Sequence, residues 1–341
     1  MSIQPMLSRR AAEFGALEVH PVECCPLCDG RGGRPLHRLT DPGGRIRGEF
    51  QLLRCGDCGL VYVSPCPSDG ALAALYDEEF YFSTGWSYAA LASYVIECIQ
   101  SRRRHRVERY ARRGRLLDIG SGDGHFVHHM ARQGWEATGI DFSPAALEFA
   151  RRIDSGARFL QGSLDDHDFT PGQLDVVTLW QVLEHMGEPR PLLRRCHELL
   201  RPGGTLIAAV PNIDGLSSRL TGERWWGLDV PRHLVHFTPA TLRAALEGAG
   251  FRVMHVRHRS LQYDPYALLH SSLDWVFTRR HFLSDFAKRH PAKRMGRAEF
   301  LYNLVALVVL APLLAPVCLL TAVAAGACGR GGFIEVHARR D

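Results

Sequence analysis

Short apolar runs recur through the middle of the chain and predict β-strands. They cover residues 115–119, 136–140, 157–161 and 174–180, and a further run follows Pro202-Gly203-Gly204 toward Asn212. Segments 144–152 and 239–249 lie between or after these runs and read as helices, each opened by a proline that follows a Ser or Thr. Strands that alternate with helices favour an α/β fold with a mainly parallel sheet.

Two later runs, residues 251–257 and 332–338, predict a sixth and a seventh strand, and a long insert at 259–330 separates them. Within the insert, residues 301–329 contain no charged side chain. Roughly 20 apolar residues suffice to cross a bilayer. Pro312 and Pro316 interrupt the segment near its middle, and both flanks are basic, which places both flanks on one side of a membrane. We therefore expect an apolar helical hairpin at 301–329.

That hairpin has two interpretations. The first is a hairpin that dips into, or lies on, the inner leaflet of the membrane, which makes the protein peripheral or monotopic. The alternative is a helix pair that packs on the domain or on a second subunit.

Length and composition limit the classes of protein. A chain of 341 residues suits one large domain with appendages, or two domains, and a hydrophobic content of 46% is ordinary for a globular core. The net charge of +5 is too small to indicate nucleic-acid binding by itself. Ten cysteines behind an N-terminus that lacks a signal-like apolar core suggest reduced thiols, metal binding and a cytoplasmic location.

Four of the cysteines form two C-x-x-C pairs. Cys25 with Cys28 and Cys55 with Cys58 can supply four thiolates to a closed tetrahedral site, which predicts a structural zinc ion. Cys24 is an alternative to its neighbour Cys25, although the spacing favours Cys25. This pattern indicates a zinc ribbon at residues 20–70, with unliganded free thiols as the alternative. Because few basic and aromatic residues alternate here, we expect no nucleic-acid partner.

Glycines alternate directly after the first predicted strand. The strand ends at Asp118, and Gly120, Gly122 and Gly124 follow. A loop with so few side chains lets a ligand lie on the backbone, next to the start of a helix. The spacing G-x-G-x-G differs from the G-x-G-x-x-G of dinucleotide-binding folds.

This loop resembles motif I of class I S-adenosylmethionine-dependent methyltransferases. The order of the glycine loop, the acid at Asp141, the Leu-Glu-His segment at 183–185 and the Pro-Gly-Gly turn is similar to small-molecule and glycan methyltransferases, including the ubiquinone-biosynthesis O-methyltransferases. The resemblance implies a Rossmann-like seven-stranded sheet with helices on both faces and an antiparallel seventh strand. The ribbon, with Leu60–Pro65 and Tyr76–Tyr81, is similar to the N-terminal module of sugar and glycan methyltransferases.

The resemblance also implies S-adenosylmethionine as cofactor. Asp141 stands where a carboxylate accepts the ribose hydroxyls, while Ser163 replaces the acid that usually meets adenine. The positions expected to contact the cofactor are Asp118, Gly120, Ser121, Gly122, Gly124, Asp141, Phe142, Ser163, Leu164 and Trp180.

Histidines supply the candidate bases. Methyl transfer to a hydroxyl needs a proton acceptor, and imidazole is suited to that role near neutral pH. His185 is the first candidate and His233 the second, while Glu184 would orient His185 or join a metal site. Gln181 stands where another acid would strengthen the metal hypothesis. The alternative is that Glu184 and His185 only shape the cofactor pocket.

A long loop, residues 212–238, is the second region expected near the acceptor. Trp225 and Trp226 offer aromatic faces for a sugar or another ring, and Arg232 offers a guanidinium for a carboxylate or phosphate. His236 is as easily explained by packing.

A basic helix is expected before the first strand. Residues 86–113 read as a helix that covers the cofactor, within a connector or lid at 71–113. Its run Arg102–Arg106 favours a solvated cationic face, and binding of an anionic substrate is the alternative. The methyltransferase domain is then 114–258 together with 331–341.

The resulting hypothesis is methyl transfer to a hydroxyl of a glycan, a lipid-linked sugar or a quinone-like small molecule. Sugar C- or N-methylation is the alternative within the class. A nicotinamide-dependent oxidoreductase, which lacks its glycine spacing here, and a zinc-ribbon nucleic-acid-binding protein are alternatives from other classes. The identity of the acceptor and the oligomeric state stay open.

Overall fold

The computed structural model describes residues 18–42, 48–68, 89–287 and 295–341. Its strands are β1 (Val19–His20), β2 (Gly33–Leu39), β3 (Phe50–Cys55), β4 (Val61–Ser64), β5 (Cys66–Pro67), β6 (Arg115–Ile119), β7 (Glu136–Asp141), β8 (Arg158–Gln161), β9 (Leu174–Trp180), β10 (Leu200–Pro211), β11 (Val235–His236), β12 (Phe251–Arg257) and β13 (Phe333–Arg340). Its helices are α1 (Ala89–Glu108), α2 (His125–Arg132), α3 (Pro144–Arg151), α4 (Pro189–Leu199), α5 (Leu216–Thr221), α6 (Pro239–Gly248), α7 (Asp264–Leu273), α8 (Phe282–Ala287) and α9 (Arg297–Ala327). Short 3-10 turns lie at Leu164–Asp166, Leu183–His185, Gly222–Arg224 and Trp226–Leu228.

A seven-stranded sheet in the order β12-β13-β10-β9-β6-β7-β8 forms the centre of the molecule. The strands from β10 to β8 are parallel, and β13 runs antiparallel between β10 and β12. This confirms the Rossmann-like sheet and the antiparallel seventh strand. In such a sheet the carboxyl ends of the parallel strands form one edge, where ligands bind.

Local sequence explains where helices start. Ser143 caps α3 by accepting a hydrogen bond from the Ala146 N–H at 3.3 Å, and Pro144 occupies the first turn. Thr238 and Thr241 form a reciprocal capping box at the start of α6. Helix α1 is shorter than the predicted 86–113, since it ends at Glu108. Residues 69–88, which hold the first part of the predicted connector and the Tyr76–Tyr81 segment, lie outside the described residues.

The ribbon is joined to the central domain by a strand. Its sheet has the order β11-β4-β3-β2, and β11 comes from the loop at 212–238, with Val235 opposite Tyr62. A hydrophobic core fills the space between the two parts, and its members include Phe50, Val61 and Trp225. A salt bridge from Arg190 of α4 to Asp29 beside the first knuckle adds a polar contact, with nitrogen–oxygen distances of 2.8 and 2.5 Å.

The predicted hairpin within 301–329 is wrong, because Arg297–Ala327 forms one continuous helix, α9. The chain leaves the sheet after β12, passes through α7 and α8, and reaches β13 at the end of α9. The basic flanks of segment 301–329 were expected on one side of a membrane. That expectation does not need a hairpin within the segment, because α7 and α8 precede α9 in the same insert. Pro312 and Pro316 are four residues apart, so they share one face, and that face is exposed. Each proline costs a local hydrogen bond without ending the helix.

Helix α9 is about 46 Å long by its residue count. Asn303, Cys318, Ala322 and Ala325 form part of a narrow buried stripe along it. Much of the remainder is exposed and apolar; Val308, Leu313 and Leu320 are 65%, 65% and 70% exposed. Among the described residues, α9 is the helix long and apolar enough to cross a membrane. Four basic residues of its expected N-terminal flank, Lys288, Arg289, Lys293 and Arg294, lie outside the described residues.

Candidate active site

The glycine loop connects β6 to α2 and turns toward β7. The N–H groups of Gly120 and Ser121 both donate to the Ile140 carbonyl oxygen, at 2.8 and 2.9 Å. All three glycines have positive φ values, which disfavour other residues. A Cβ at Gly124 would lie 2.7 Å from the ring of Phe159, whereas a Cβ at Gly122 would meet no atom within 4 Å. Gly124 therefore serves packing, and Gly122 faces space that a ligand can fill.

Two buried acids flank this loop. The Thr178 hydroxyl donates to Asp118 at 2.6 Å, and burial raises the pKa of the Asp118 carboxyl to about 7. Asp141 accepts hydrogen bonds from the Gly122 N–H at 2.7 Å and the Ser143 N–H at 2.9 Å. Burial also raises the pKa of Asp141, which those two N–H groups oppose. Asp141 thus orders the loop and keeps lone pairs for a hydroxyl ligand.

The other predicted cofactor contacts lie along the same edge. Trp180 ends β9 and packs edge-to-face on Phe126, with 5.6 Å between ring centroids. Phe142 follows Asp141 and is 48% exposed. Beyond β8, Leu164 is buried, and the Ser163 hydroxyl donates to Asp166 at 2.8 Å. The structure therefore brings the predicted cofactor positions to the carboxyl ends of four neighbouring strands, β8, β7, β6 and β9.

The candidate bases meet beside this edge. Glu184 and His185 lie in the 3-10 turn after β9, and His233 approaches them from the loop before β11. One ligand atom of each lies within 4.8 Å of the others. The turn also reaches the glycine loop, because a Cβ at Gly120 would lie 2.6 Å from Val182.

Hydrogen bonds assign the protons of the two imidazoles. Nδ1 of His185 lies 3.0 Å from the Arg232 carbonyl oxygen, and Nδ1 of His233 lies 2.8 Å from that of Gly227. A carbonyl oxygen only accepts, so each Nδ1 carries its proton and each Nε2 keeps a lone pair when the ring is neutral. The ring centroids are 4.7 Å apart.

Burial sets the charge of the cluster. It lowers the pKa of His233 to about 3, with the neighbouring His185 adding to the effect, and it lowers the pKa of His185 as well. Burial raises the pKa of Glu184 to about 8. Within the described part of the chain, neither Glu184 carboxyl oxygen has a hydrogen-bond partner. Near neutral pH the imidazoles are therefore uncharged and the carboxyl favours its protonated form.

The ribbon and the loop at 212–238 position His233. The Leu234 N–H donates to the Glu184 carbonyl oxygen at 2.7 Å, and β11, which follows, pairs with β4 of the ribbon. Burial opposes the ionisation of Asp229, yet the adjacent Arg232 guanidinium holds the pKa of that carboxyl well below its usual range. The expected role of Trp225 in acceptor binding is wrong, because Trp225 is buried in the ribbon core; the Arg232 guanidinium pairs with Asp229.

The four ribbon thiols also converge. Cys25 and Cys58 have sulfurs 3.5 Å apart, as have Cys28 and Cys55, and all four lie within 4.8 Å of one another. A tetrahedral zinc site with bonds of about 2.3 Å has edges of about 3.8 Å, so this arrangement fits zinc. Cys25, rather than Cys24, belongs to the cluster.

Comparison with known proteins adds sequence relatives to this geometry. A profile of the methyltransferase domain family matches residues 92–256. The ubiquinone biosynthesis O-methyltransferase of Xanthomonas euvesicatoria is 32% identical over 163 residues, which cover 45% of this chain and 67% of the relative. That of Escherichia coli is 34% identical over 162 residues, which cover 44% and 67%.

The chain belongs to the class I S-adenosylmethionine-dependent methyltransferases. A solved S-adenosylmethionine-dependent methyltransferase from Mesorhizobium loti aligns with 66% of this chain and 90% of its own, at 18% identity and a TM-score of 0.40.

The methyltransferase loop fits its cofactor. Gly122 leaves room for a ligand on the backbone, Asp118 offers a carboxyl to an ammonium group, and Asp141 offers one to ribose hydroxyls. When bound, S-adenosylmethionine supplies an electrophilic methyl group on a sulfonium.

Sequence reasoning missed Thr178, and it gave no role in the site to the backbone of Gln181 or to the individual arginines of the run Arg102–Arg106. Thr178 holds Asp118, and Gln181 has a φ of +59°, a strained value for a residue other than glycine. Arg103 and Arg106 line a cavity beside Trp180. Their three-residue spacing on a helix, which puts them on one face, was the available signal.

Proposed function

We propose that this methyltransferase transfers a methyl group to a hydroxyl of a glycan, a lipid-linked sugar or a quinone-like small molecule. The main support is the pair of uncharged imidazoles beside the glycine loop, that of buried His233 and that of half-buried His185. The names of the O-methyltransferase relatives support a hydroxyl as acceptor.

A hydroxyl is a weak nucleophile until its proton is taken. Nε2 of His185, or of His233, takes that proton as the oxygen attacks the methyl carbon. The Nδ1–H bonds to the carbonyl oxygens of Arg232 and Gly227 fix the ring orientations. They also stabilise the imidazolium that forms. A protonated Glu184 shapes the pocket without adding a negative charge.

Single substitutions test the base. We expect His185→Gln or His233→Gln, whichever removes the base, to lower kcat about 100-fold or more, with the dissociation constant for S-adenosylmethionine changed less than about threefold. Labelled-methyl transfer to a cell extract, with the product identified, supplies the acceptor for this assay. His236→Gln is the matched control, because His236 is buried in the same loop and outside the cluster. Full activity in both test variants would contradict the proposal.

We also propose that the cysteine cluster binds one structural zinc ion. Four thiolates leave no coordination position for water, so the metal would hold the ribbon together and take no part in the reaction.

The apolar face of α9 supports a third proposal, association with the inner leaflet of a membrane. Val308, Leu313 and Leu320 belong to a continuous run of exposed apolar side chains on one helix, which is unusual for a monomeric soluble protein. Leu313→Glu with Leu320→Glu places two charges on that face, and we expect it to move the protein from vesicle-bound to free fractions in flotation. An unchanged distribution would contradict membrane association.

A further inference from the structure

A cavity beside the cofactor loop is lined by residues other than the proposed bases, His185 and His233. It is a cleft that is partly open to solvent, at the carboxyl ends of β9 and β10. Its walls come from α1, from the end of β9, from the loop after β12 and from the start of β13. The acceptor half of the sheet edge lies here, on the opposite side of β6 from β7 and β8.

Positive charge dominates this cavity. Arg103, Arg106 and Arg259 line it, together with one carboxyl group, that of Glu335. Glu335 forms an ion pair with Arg106 and accepts a hydrogen bond from His337 at 2.9 Å. Arg103 donates to the Tyr263 hydroxyl at 3.1 Å and lies 4.7 Å above the Trp180 ring. Within the described residues, neither Arg103 nor Arg259 has a carboxylate in salt-bridge distance. The Arg103 guanidinium acts at longer range on Asp118, where it opposes the rise in the pKa of that carboxyl.

The neutral groups of the cavity add further donors. The indole N–H of Trp180 and the side-chain N–H₂ of Gln181 are buried and lack a partner among the described residues. Trp180 as a whole is 92% buried, since 8% of its surface is exposed. Unpaired buried donors cost free energy unless a ligand accepts from them. A ligand rich in acceptor oxygens satisfies both the charges and these N–H groups.

The cavity also lies at one end of the apolar helix. A Cβ at Gly326, near the end of α9, would lie 2.7 Å from the Cβ of Arg259. From this point α9 carries its exposed apolar face away, through Leu320 and Leu313. The cavity therefore lies beside the C-terminal end of a helix whose exposed side chains are largely apolar.

We propose that this cavity binds the anionic group, a carboxylate or a phosphate, of an acceptor whose apolar chain lies against α9. The inference rests on the proposed transfer to a hydroxyl and narrows its acceptor to an anionic amphiphile. Arg103 and Arg259, which have no carboxylate in salt-bridge distance, hold the anion, and Trp180 separates the anion from the glycine loop.

Binding to the full-length protein, saturated with S-adenosylhomocysteine, tests this proposal by calorimetry. The probes are dodecyl phosphate, dodecanoate, inorganic phosphate and dodecyl maltoside, each below its micelle-forming concentration. We expect dodecyl phosphate or dodecanoate to bind, and whichever binds more tightly identifies the anion. Inorganic phosphate, which lacks the chain, and dodecyl maltoside, which lacks the charge, should each bind roughly tenfold more weakly or worse.

Three variants separate the site from general electrostatics. Arg259→Gln should weaken the tighter probe roughly tenfold, because it removes a charged donor. Arg330→Gln is the matched control; this exposed arginine also follows the end of α9 but does not line the cavity, so it should change binding less than about twofold. Glu335→Gln removes the opposing charge and should tighten binding severalfold, an effect that a loss of folding does not produce.

Several outcomes would overturn the proposal. Equal losses in Arg259→Gln and Arg330→Gln would indicate unspecific charge attraction, and equal binding of dodecyl maltoside would indicate an apolar surface only. Probe binding that is seen with the cofactor-free protein and is lost in the protein saturated with S-adenosylhomocysteine would assign the arginines to the carboxylate of the cofactor. Because these measurements need no methyl transfer, they fail or succeed independently of the proposed reaction.

Discussion

The two halves of the sheet edge are built in opposite ways. The cofactor half, at β6 and β7, comes from one short stretch between Asp118 and Ser143, and backbone groups make most of its contacts. The acceptor half combines side chains from distant segments, among them Arg103, Trp180, Arg259 and Glu335. The ribbon and the long insert hold the acceptor half in place. The cofactor half is therefore a local structure, whereas the acceptor half depends on the whole chain.

Removal of the ribbon metal should have the largest effect, and it should damage the acceptor half while it spares the cofactor half. Cys55→Ser with Cys58→Ser should abolish metal binding and lower methyl transfer about 100-fold or more, because β4 then loses the support that presents β11 and His233. Structural zinc contributes about 10–16 kcal/mol in zinc-finger peptides. We expect the affinity for S-adenosylmethionine, measured by calorimetry, to change less than about threefold.

Cys24→Ser is the control for that experiment, because Cys24 adjoins Cys25 and lies outside the cluster. An equal loss of cofactor affinity and of transfer in the double variant would show that the two halves do not act separately.

A substitution in the glycine loop should damage the cofactor half next most strongly. Gly124→Ala places a Cβ 2.7 Å from the Phe159 ring at a φ of +75°. We expect a loss of about 3 kcal/mol in unfolding free energy, from strain and overpacking together, with weakened cofactor binding. Gly156→Ala has nearly the same φ, +76°, and open space around the new Cβ, so it should cost only about 1 kcal/mol. Equal urea midpoints for the two variants would rule out the packing role of Gly124.

The smallest effect should be a pH dependence confined to the cofactor half. The raised pKa of Asp118, about 7, means that the folded protein holds a proton which the unfolded chain releases between pH 4 and 7. The stability contributed by this group is therefore present at low pH and is lost as pH rises through 7. A cofactor ammonium favours the ionised carboxyl, so affinity for S-adenosylmethionine should rise roughly tenfold between pH 6 and 8.

Calorimetry at the two pH values checks this expectation. Asp118→Asn should remove the dependence, and a wild-type affinity that stays constant would contradict the role of Asp118.

The success of sequence reasoning follows the same division. The strand end at Asp141, the cap at Ser143 and the paired cysteines are local patterns, and the structure contains each of them; β6 runs one residue beyond Asp118, to Ile119. The pairing of β11 with the ribbon joins Val235 to Tyr62, and nothing in either segment alone specifies its partner. The hairpin prediction failed because the two prolines indicated a break in the helix, whereas α9 continues through both of them. The other helices of the insert, α7 and α8, precede α9 in the chain.

The cationic cavity was equally hard to predict. Its arginines come from α1 and from the loop after β12, and an arginine run without its tertiary neighbours is typical of a solvated helix face. The helical spacing of Arg103 and Arg106 indicated that the two side chains lie on one face of the helix, and binding of an anionic substrate was the alternative interpretation of this run.

The place of β13 has a consequence for how the molecule assembles. This strand fills the gap between β10 and β12, yet it follows the whole insert in the chain. As the polypeptide leaves the ribosome, α9 therefore emerges before the sheet is complete, and its apolar face is exposed while the place between β10 and β12 is still empty. The sheet is completed and α9 reaches its final position in a single late step of biosynthesis.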